Sequence, residues 1–374
     1  MRKLASIRKI DFLEPIQGRD LIELAHIGGW KVIVKKQEFK NGDLCIYVEI
    51  DSILPEKPEF EFLRKTCYKP SYNGFRIKTL KMAGVISQGI IFPLSILGNT
   101  KIEEGQDVTE KLGIKKYDPE ISKENSIVSK NRKHSFIIEY LLSFIWFRRI
   151  YRFFVSKSSG NFPYFLIKTD EERIQNYGEQ YEKHRKEYFY ATEKLDGCSV
   201  SYAVKDRDNF KFLKRKEFFV CSRNLRLAHS DNSHYWKVAR KYNIQEKLET
   251  MGKNIAIQGE IVGPGIQENQ YKLHDHQFYI YNVYDIDKGR FYSLEQMELF
   301  CDAYDFTMVP IISIGELDKS VDELIQMADG FSLLKRDILR EGIVFRTIDY
   351  DVNKFSFKVV SNRFLLKNQK NSEI

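Results

Sequence analysis

Two periodicities divide the chain. Over residues 1 to about 115, apolar and polar positions alternate in short runs, as in strands with one buried face. Trp30-Lys31-Val32-Ile33-Val34 and Leu44-Cys45-Ile46-Tyr47-Val48-Glu49-Ile50 are the clearest of these. Asn41-Gly42-Asp43 lies between them and supplies turn chemistry, because Asn and Gly tolerate positive φ. Gly74 to Lys81 and Val85 to Pro93 form a further pair, broken at Ala83-Gly84. Short strands punctuated by glycine predict an all-β unit closed as a small barrel.

From residue 166 to 374, strand runs are interleaved with longer segments at helical spacing, the mark of an α+β unit. Strands are expected over Tyr188 to Thr192, Ser199 to Val204, Phe210 to Leu213, Phe218 to Cys221, Ile255 to Ile261, Phe278 to Tyr284, Gly342 to Arg346 and Phe355 to Val359. Tyr235 to Thr250, Leu294 to Tyr304 and Val321 to Ala328 read as helices. Residues 116 to 165 differ from both units. Their polar first half reads as a linker, and Phe136 to Phe154 reads as an amphipathic helix lying across a domain interface. Glu139, Arg148, Arg149 and Arg152 make it a poor membrane span.

A chain of 374 residues is too long for one small core, which fits two domains and a linker. Its 60 Lys and Arg against 52 Asp and Glu leave a formal charge of +8, favouring a polyanionic partner. Arg76 and Lys78 share one strand face, and with Lys81 they are the candidates to track a phosphate backbone. The 5 cysteines are scattered, with no Cys-x-x-Cys pair. Neither a zinc ribbon nor a disulfide framework is expected, and a reduced intracellular compartment, the cytoplasm, fits best.

Candidate chemistry concentrates in five words in a fixed order: Glu193-Lys194-Leu195-Asp196-Gly197, Ser222-Arg223-Asn224, Gly259-Glu260, Glu341-Gly342-Ile343-Val344 and Phe357-Lys358. A lone Lys-x-Asp-Gly is most often a turn; the ordered set on strand-like stretches is far more specific. An ammonium cannot attack phosphorus, so Lys194 needs desolvation or a neighbouring positive charge to act as nucleophile. Gly197, without a Cβ, lets backbone approach a bound sugar. Asp196 and Glu193 offer oxygen ligands or hydrogen-bond acceptors. Arg223 suits a ribose or a phosphate, and Glu260 suits a ribose hydroxyl or a metal-bound water. Phe278 offers a face to a purine, although the run Phe-Tyr-Ile-Tyr-Asn-Val-Tyr is equally good β-core. Glu341 sits where Mg²⁺ or Mn²⁺ wants an oxygen, and Lys358 can neutralise charge on an α-phosphate. No P-loop and no His-Glu-x-x-His is present, and His274-Asp275-His276 reads as a loop entering the next strand.

In this order the words resemble the active site of covalent nucleotidyltransferases, and more closely that of ATP-dependent RNA ligases. The run Lys168-Thr169-Asp170-Glu171-Glu172-Arg173-Ile174-Gln175-Asn176 ahead of the lysine is similar to a stretch many RNA ligases carry. The words Asn41 to Ser52, Phe60-Glu61-Phe62-Leu63-Arg64 and Ser87-Gln88-Gly89-Ile90-Ile91 resemble the N-terminal OB domain of the Naegleria-type RNA ligases. The resemblance implies an OB barrel over 1–115, a linker over 116–165 and an α+β nucleotidyltransferase (ATP-grasp-like ligase) domain over 166–374. It implies that ATP with Mg²⁺ or Mn²⁺ charges Lys194 with AMP. Asp196 and Gly197 complete that motif, Lys168, Arg223, Glu260 and Phe278 contact the nucleotide, Glu341 and Glu260 serve the metal, and Lys358 meets the α-phosphate. The implied partner is RNA with 3′-OH and 5′-phosphate ends, handled by a monomer. One departure concerns the last motif, where many RNA ligases show Lys-x-Lys and this chain has Ser356-Phe357-Lys358. The rival readings are a GTP-dependent capping guanylyltransferase, a DNA ligase and an inactive RNA-binding homologue.

Overall fold

The computed structural model describes residues 3–98, 102–117, 160–206, 216–349 and 355–371. The expected helix over Phe136 to Phe154 and the expected strand over Phe210 to Leu213 lie outside the described residues. The chain divides into two compact units, Met1–Leu141 with Leu365–Ile374, and Leu142–Phe364. Among the described residues no helix is long and apolar enough to cross a membrane.

The first unit is built of short antiparallel strands around one core that includes Ile7, Trp30, Tyr47, Phe60 and Phe75. One expected pairing is corrected and another holds only in part. Trp30–Lys35 does not form a hairpin with Leu44–Val48; it pairs with Ile22–Ile27 through Gly28-Gly29, Ile27 opposite Trp30. Those two glycines leave a two-residue turn between paired strands, whereas the path through Asn41-Gly42 is too long for one. Leu44–Val48 instead lies between Ala5–Lys9 and Ile90–Phe92. The expected strand over Gly74 to Lys81 is also split. Gly74–Arg76 pairs with Ser52–Pro55, while Thr79–Met82 pairs with Val85–Gln88, so the two halves serve different sheets. Lys115–Lys116 forms a short strand on Ser52–Ile53.

The second unit holds two sheets. Seven strands, in the order Gly160–Asn161, Leu225–Arg226, Lys216–Cys221, Cys198–Asp206, Ile255–Val262, Gln277–Asp285 and Arg290–Phe291, form the larger. One face of it packs on helices His234–Lys241, Ile244–Thr250 and Leu294–Tyr304. The single helix expected over Tyr235 to Thr250 is broken at Asn243, whose φ of 50° stops one helix and starts the next. The smaller sheet runs Ile311–Glu316, Tyr188–Lys194, Gly342–Thr347 and Ser356–Val360. Its apolar face buries Phe189, Ala191, Ile343, Phe345, Phe357 and Val359 with Leu324 and Ala328 of helix Val321–Ala328. Only three residues, Leu195-Asp196-Gly197, separate strand Tyr188–Lys194 of the smaller sheet from strand Cys198–Asp206 of the larger. The lysine motif is therefore the passage from one sheet to the other.

Candidate active site

Strand Tyr188–Lys194 has five consecutive buried residues before it ends at the half-buried Lys194. Lys194 stands opposite Gly342, Thr192 opposite Val344, and Val344 opposite Lys358. Opposed residues share a face and alternate residues return to it, so Lys194, Arg346, Ser356 and Lys358 all stand on the face away from the apolar core. Lys194 Nζ lies 2.6 Å from Glu341 Oε1, the side chains being 24% and 18% exposed. Glu341 leads directly into strand Gly342–Thr347, and its carbonyl accepts the Ser361 N–H at 2.8 Å.

Asp196 and Glu260 complete an acidic surround. Gln270 donates to Asp196 Oδ2 at 2.8 Å, and the Asp196 N–H donates to the Tyr271 hydroxyl at 3.0 Å. Burial, and next the charge of Glu341, push the Asp196 carboxyl well above the usual carboxylate range, while Lys194 opposes them. Ser199 Oγ donates to Glu260 Oε2 at 3.1 Å. Burial pushes Glu260 up to about 7, with Lys194 and then Arg223 opposing. Lys194 thus touches one carboxylate and acts on two more. Gly197 sits where these elements are tightest: a Cβ there would come within 2.4 Å of the Ile261 carbonyl and 2.9 Å of Glu260 Cγ. Any side chain at 197 would push the larger sheet away from the lysine.

A strap ahead of the lysine crosses the same face. The Tyr281 hydroxyl donates to Thr169 at 3.1 Å, Lys358 Nζ reaches Asp170 at 3.0 Å, and Arg346 reaches Glu171 at 3.1 Å. Ser356 also donates to Glu171. The Lys358 N–H donates to the Glu172 carbonyl at 2.8 Å, and the buried Arg173 bridges to Lys358 in parallel. The second cation of this face is therefore Arg346, directly across from Ser356. Lys354 lies outside the described residues.

Not every expected residue joins the cluster. Phe278 does not. It stands opposite Ile261, on the sheet face turned away from Glu260, and is 2% exposed among Tyr202, Tyr242 and Phe306. It is core, and a purine cannot reach it. The aromatics on the Glu260 side are Tyr279, which stands opposite that residue, and Tyr281, whose hydroxyl feels Glu260, Ser199 and Arg223. Lys168 is exposed, 5.8 Å from the Phe162 ring, at the start of the strap. In the first unit Arg76 is held by Asp51 at 3.1 Å and lies 3.6 Å from the centre of the Tyr117 ring. Lys81 is exposed on Thr79–Met82, and Lys78 lies between the two half-strands. The residues missed in the sequence are Tyr281 and Arg346, while Asp170 and Glu171 stood in the run ahead of the lysine without an assigned partner. Arg346 carried a usable signal, because it follows Gly342 by four residues and so shares its face.

The donor set of Asp196, Glu260 and Glu341 is all oxygen, the type hard divalent ions take. Among the described residues there is no group of three or more His, Cys, Asp or Glu arranged to cage an ion. An ion here would use one or two of these carboxylates and complete its shell with water and phosphate oxygens, as Mg²⁺ commonly does.

The family model for RNA ligase matches residues 187–360, and a model of an OB-fold domain matches residues 4–94. Among solved structures, Naegleria gruberi RNA ligase with PPi is 33% identical; the match covers 99% of this chain and 100% of that chain, with a TM-score of 0.80. A Glu-to-Ala mutant of the Naegleria gruberi enzyme with ATP and Mn matches at 33% identity over 98% of this chain and 99% of that one, TM-score 0.80. A Lys-to-Met mutant with AMP and Mn matches at 33% identity over the same 98% and 99%, TM-score 0.80. The comparison with curated proteins returned no match. With the full length shared at this identity, the chain belongs to the RNA ligases that carry an OB-fold domain ahead of the ligase domain.

Proposed function

We propose that this ligase joins a 3′-OH to a 5′-phosphate on RNA through AMP carried by Lys194, with ATP as donor. Three transfers follow. The Lys194 amine, its proton passed to the Glu341 carboxylate that touches it, attacks the α-phosphorus of ATP; an N–P bond forms and pyrophosphate leaves. A 5′-phosphate oxygen of RNA then takes the AMP, breaking that N–P bond and returning the electron pair to nitrogen. The 3′-OH finally attacks the 5′-phosphate, a phosphodiester forms and AMP leaves. These steps depend on in-line positioning and charge neutralisation more than on acid–base groups.

Each residue has a part in this. Glu341 holds the Lys194 nitrogen in place and must release it before attack. Lys358 and Arg346 leave Asp170 and Glu171 for phosphate oxygens, trading one anion for another. Arg223 and Glu260 take the ribose, with Tyr281 on the same side. Glu341 and Glu260 are the carboxylates that would hold Mn²⁺ or Mg²⁺, whose contribution when bound is to neutralise charge on the phosphates. Lys78 and Lys81 contact RNA phosphates from the OB unit, with Arg76 fixed between Asp51 and Tyr117.

The observation that carries this reading is that Lys194, Asp196, Glu260 and Glu341 converge where the chain passes between the two sheets, with Glu341 Oε1 at 2.6 Å from Lys194 Nζ, placed to take its proton. The bound ATP, AMP and Mn of the Naegleria gruberi structures agree with it. Incubation with α-labelled ATP or GTP tests it. Label is expected to stay on the protein from ATP, and none on Lys194→Ala. Label from GTP alone would mean guanylyl transfer, and no label from either would mean an inactive homologue. Nicks with RNA or DNA at the 3′ side then separate RNA sealing from DNA sealing.

A further inference from the structure

The loop that leads into Glu341 is pinned at both ends yet displays apolar side chains to water. Its two arms are paired: Phe331 bridges Leu339, the Ser332 N–H donates to the Ile338 carbonyl at 2.9 Å, and the Arg340 N–H donates to the Gly330 carbonyl at 3.0 Å. The Leu333 N–H donates to Glu193 Oε2 at 2.7 Å, the strand neighbour of Lys194 that faces the other side of the sheet. At its base, Asp329 Oδ1 accepts from Ser361 Oγ at 2.6 Å and from the Arg363 N–H at 3.2 Å. The Arg340 guanidinium packs against Gly330, where a Cβ would come within 2.2 Å of it and displace it.

Alternation then decides what faces outward. Ser332 turns in and is 1% exposed, while Phe331 and Leu333 turn out at 52% and 47%. With the arms of the loop fixed by hydrogen bonds, an aromatic ring and a leucine two residues apart are presented together on one outward side. Charge indicates what kind of partner that side suits. The Arg363 guanidinium lies 5.9 Å from the Phe331 ring centre. The loop also carries Lys335, Arg336 and Arg340 against the acidic Asp337. An exposed ring flanked by cations is the combination that holds single-stranded nucleic acid, with bases stacking on the ring and cations meeting phosphates.

We propose that Phe331 and Leu333 form a stacking platform for the bases beside the RNA end being joined, with Arg363 and Arg336 directed to its phosphates. The inference rests on the reading of Lys194 given above and adds to it a subsite for the polynucleotide. Stacking is tolerant of base identity, so this platform would hold an end without reading its sequence.

The two readings separate by step. Lysyl-AMP formation needs no RNA, whereas sealing of pre-adenylylated RNA needs no ATP. In the full chain, Phe331→Ala is expected to leave lysyl-AMP formation at the wild-type rate and to raise the KM for RNA about tenfold, with little change in kcat. Phe331→Trp should restore the KM, and Arg363→Ala should lower the salt dependence of RNA binding by about one charge. Where Phe331→Ala lowers the melting temperature, Leu333→Ser is the substitute. An unchanged KM for RNA, or loss of lysyl-AMP formation in parallel with sealing, overturns the platform. So does a photo-crosslinker at position 331 that joins the chain's own N-terminal unit or a second copy instead of RNA. If the wild-type chain forms no lysyl-AMP, the Lys194 reading fails, and RNA affinity of Phe331→Ala still decides the platform.

Discussion

The two faces of the small sheet are made by the same strands and do opposite work. On one, Phe189, Ala191, Ile343, Phe345, Phe357 and Val359 pack against a helix, the Phe345 and Phe357 rings stacked at 5.0 Å. On the other, one residue along in each strand, stand Lys194, Arg346, Ser356 and Lys358 with their acidic partners. Cations gathered on one face repel one another, and the carboxylates of Glu341, Asp170 and Glu171 offset that. The apolar face fixes the strand register, and the register sets the spacing of the charges. Position and chemistry are thus separable, and each can be disturbed alone.

The largest effect is expected from the apolar face. Phe357→Ala removes a fully buried ring, and stability should fall by about 4 kcal/mol in denaturant melts. Activity per folded molecule should be kept only while the register holds. On the charged face, Glu341→Gln should barely shift the melting temperature yet slow lysyl-AMP formation by about a hundredfold. A loss of stability as large as that of Phe357→Ala would mean that Glu341 is structural.

Much of the charged face was legible in the sequence because its signals are local. A lysine closing an apolar strand, followed by Asp and Gly, can be read in five residues. What escaped was cross-strand information. In Phe278-Tyr279-Ile280-Tyr281 the alternation is plain, but which members face Glu260 depends on pairing with another strand. That pairing slips by one residue between Gln258 and Gly259. Arg346 supplies the cation opposite Ser356, a relation between neighbouring strands that spacing within either motif does not reveal. Asp170 and Glu171 were visible as part of a resembling run, but their partners Lys358 and Arg346 lie far along the chain. In the first unit, Gly28-Gly29 was a stronger hairpin signal than Asn41-Gly42, since it leaves two residues between runs of matching alternation.

Two smaller effects sharpen the comparison. Asp170→Asn weakens a partly exposed pair with Lys358 and should lower the KM for ATP about threefold, with stability nearly unchanged. A raised KM would mean that Asp170 assists the nucleotide. Glu193 is the carboxyl that falls on the apolar side of the alternation, and burial raises its proton affinity. With its folded pKa above the unfolded value, the native state holds the proton longer. Its contribution to stability is complete below the unfolded pKa and is lost as pH rises through the folded one. The melting-temperature difference of Glu193→Gln over wild type should therefore grow in favour of the variant from pH 4 toward neutrality; a flat difference contradicts the burial argument.

Mapping the adduct on the intact chain after exposure to ATP and Mn²⁺ tests the account most directly. A mass gain of one AMP located at Lys194, and absent from Lys194→Ala, is the predicted result. An AMP found on another residue, or a chain that gains no mass while still sealing RNA with ATP, would contradict it.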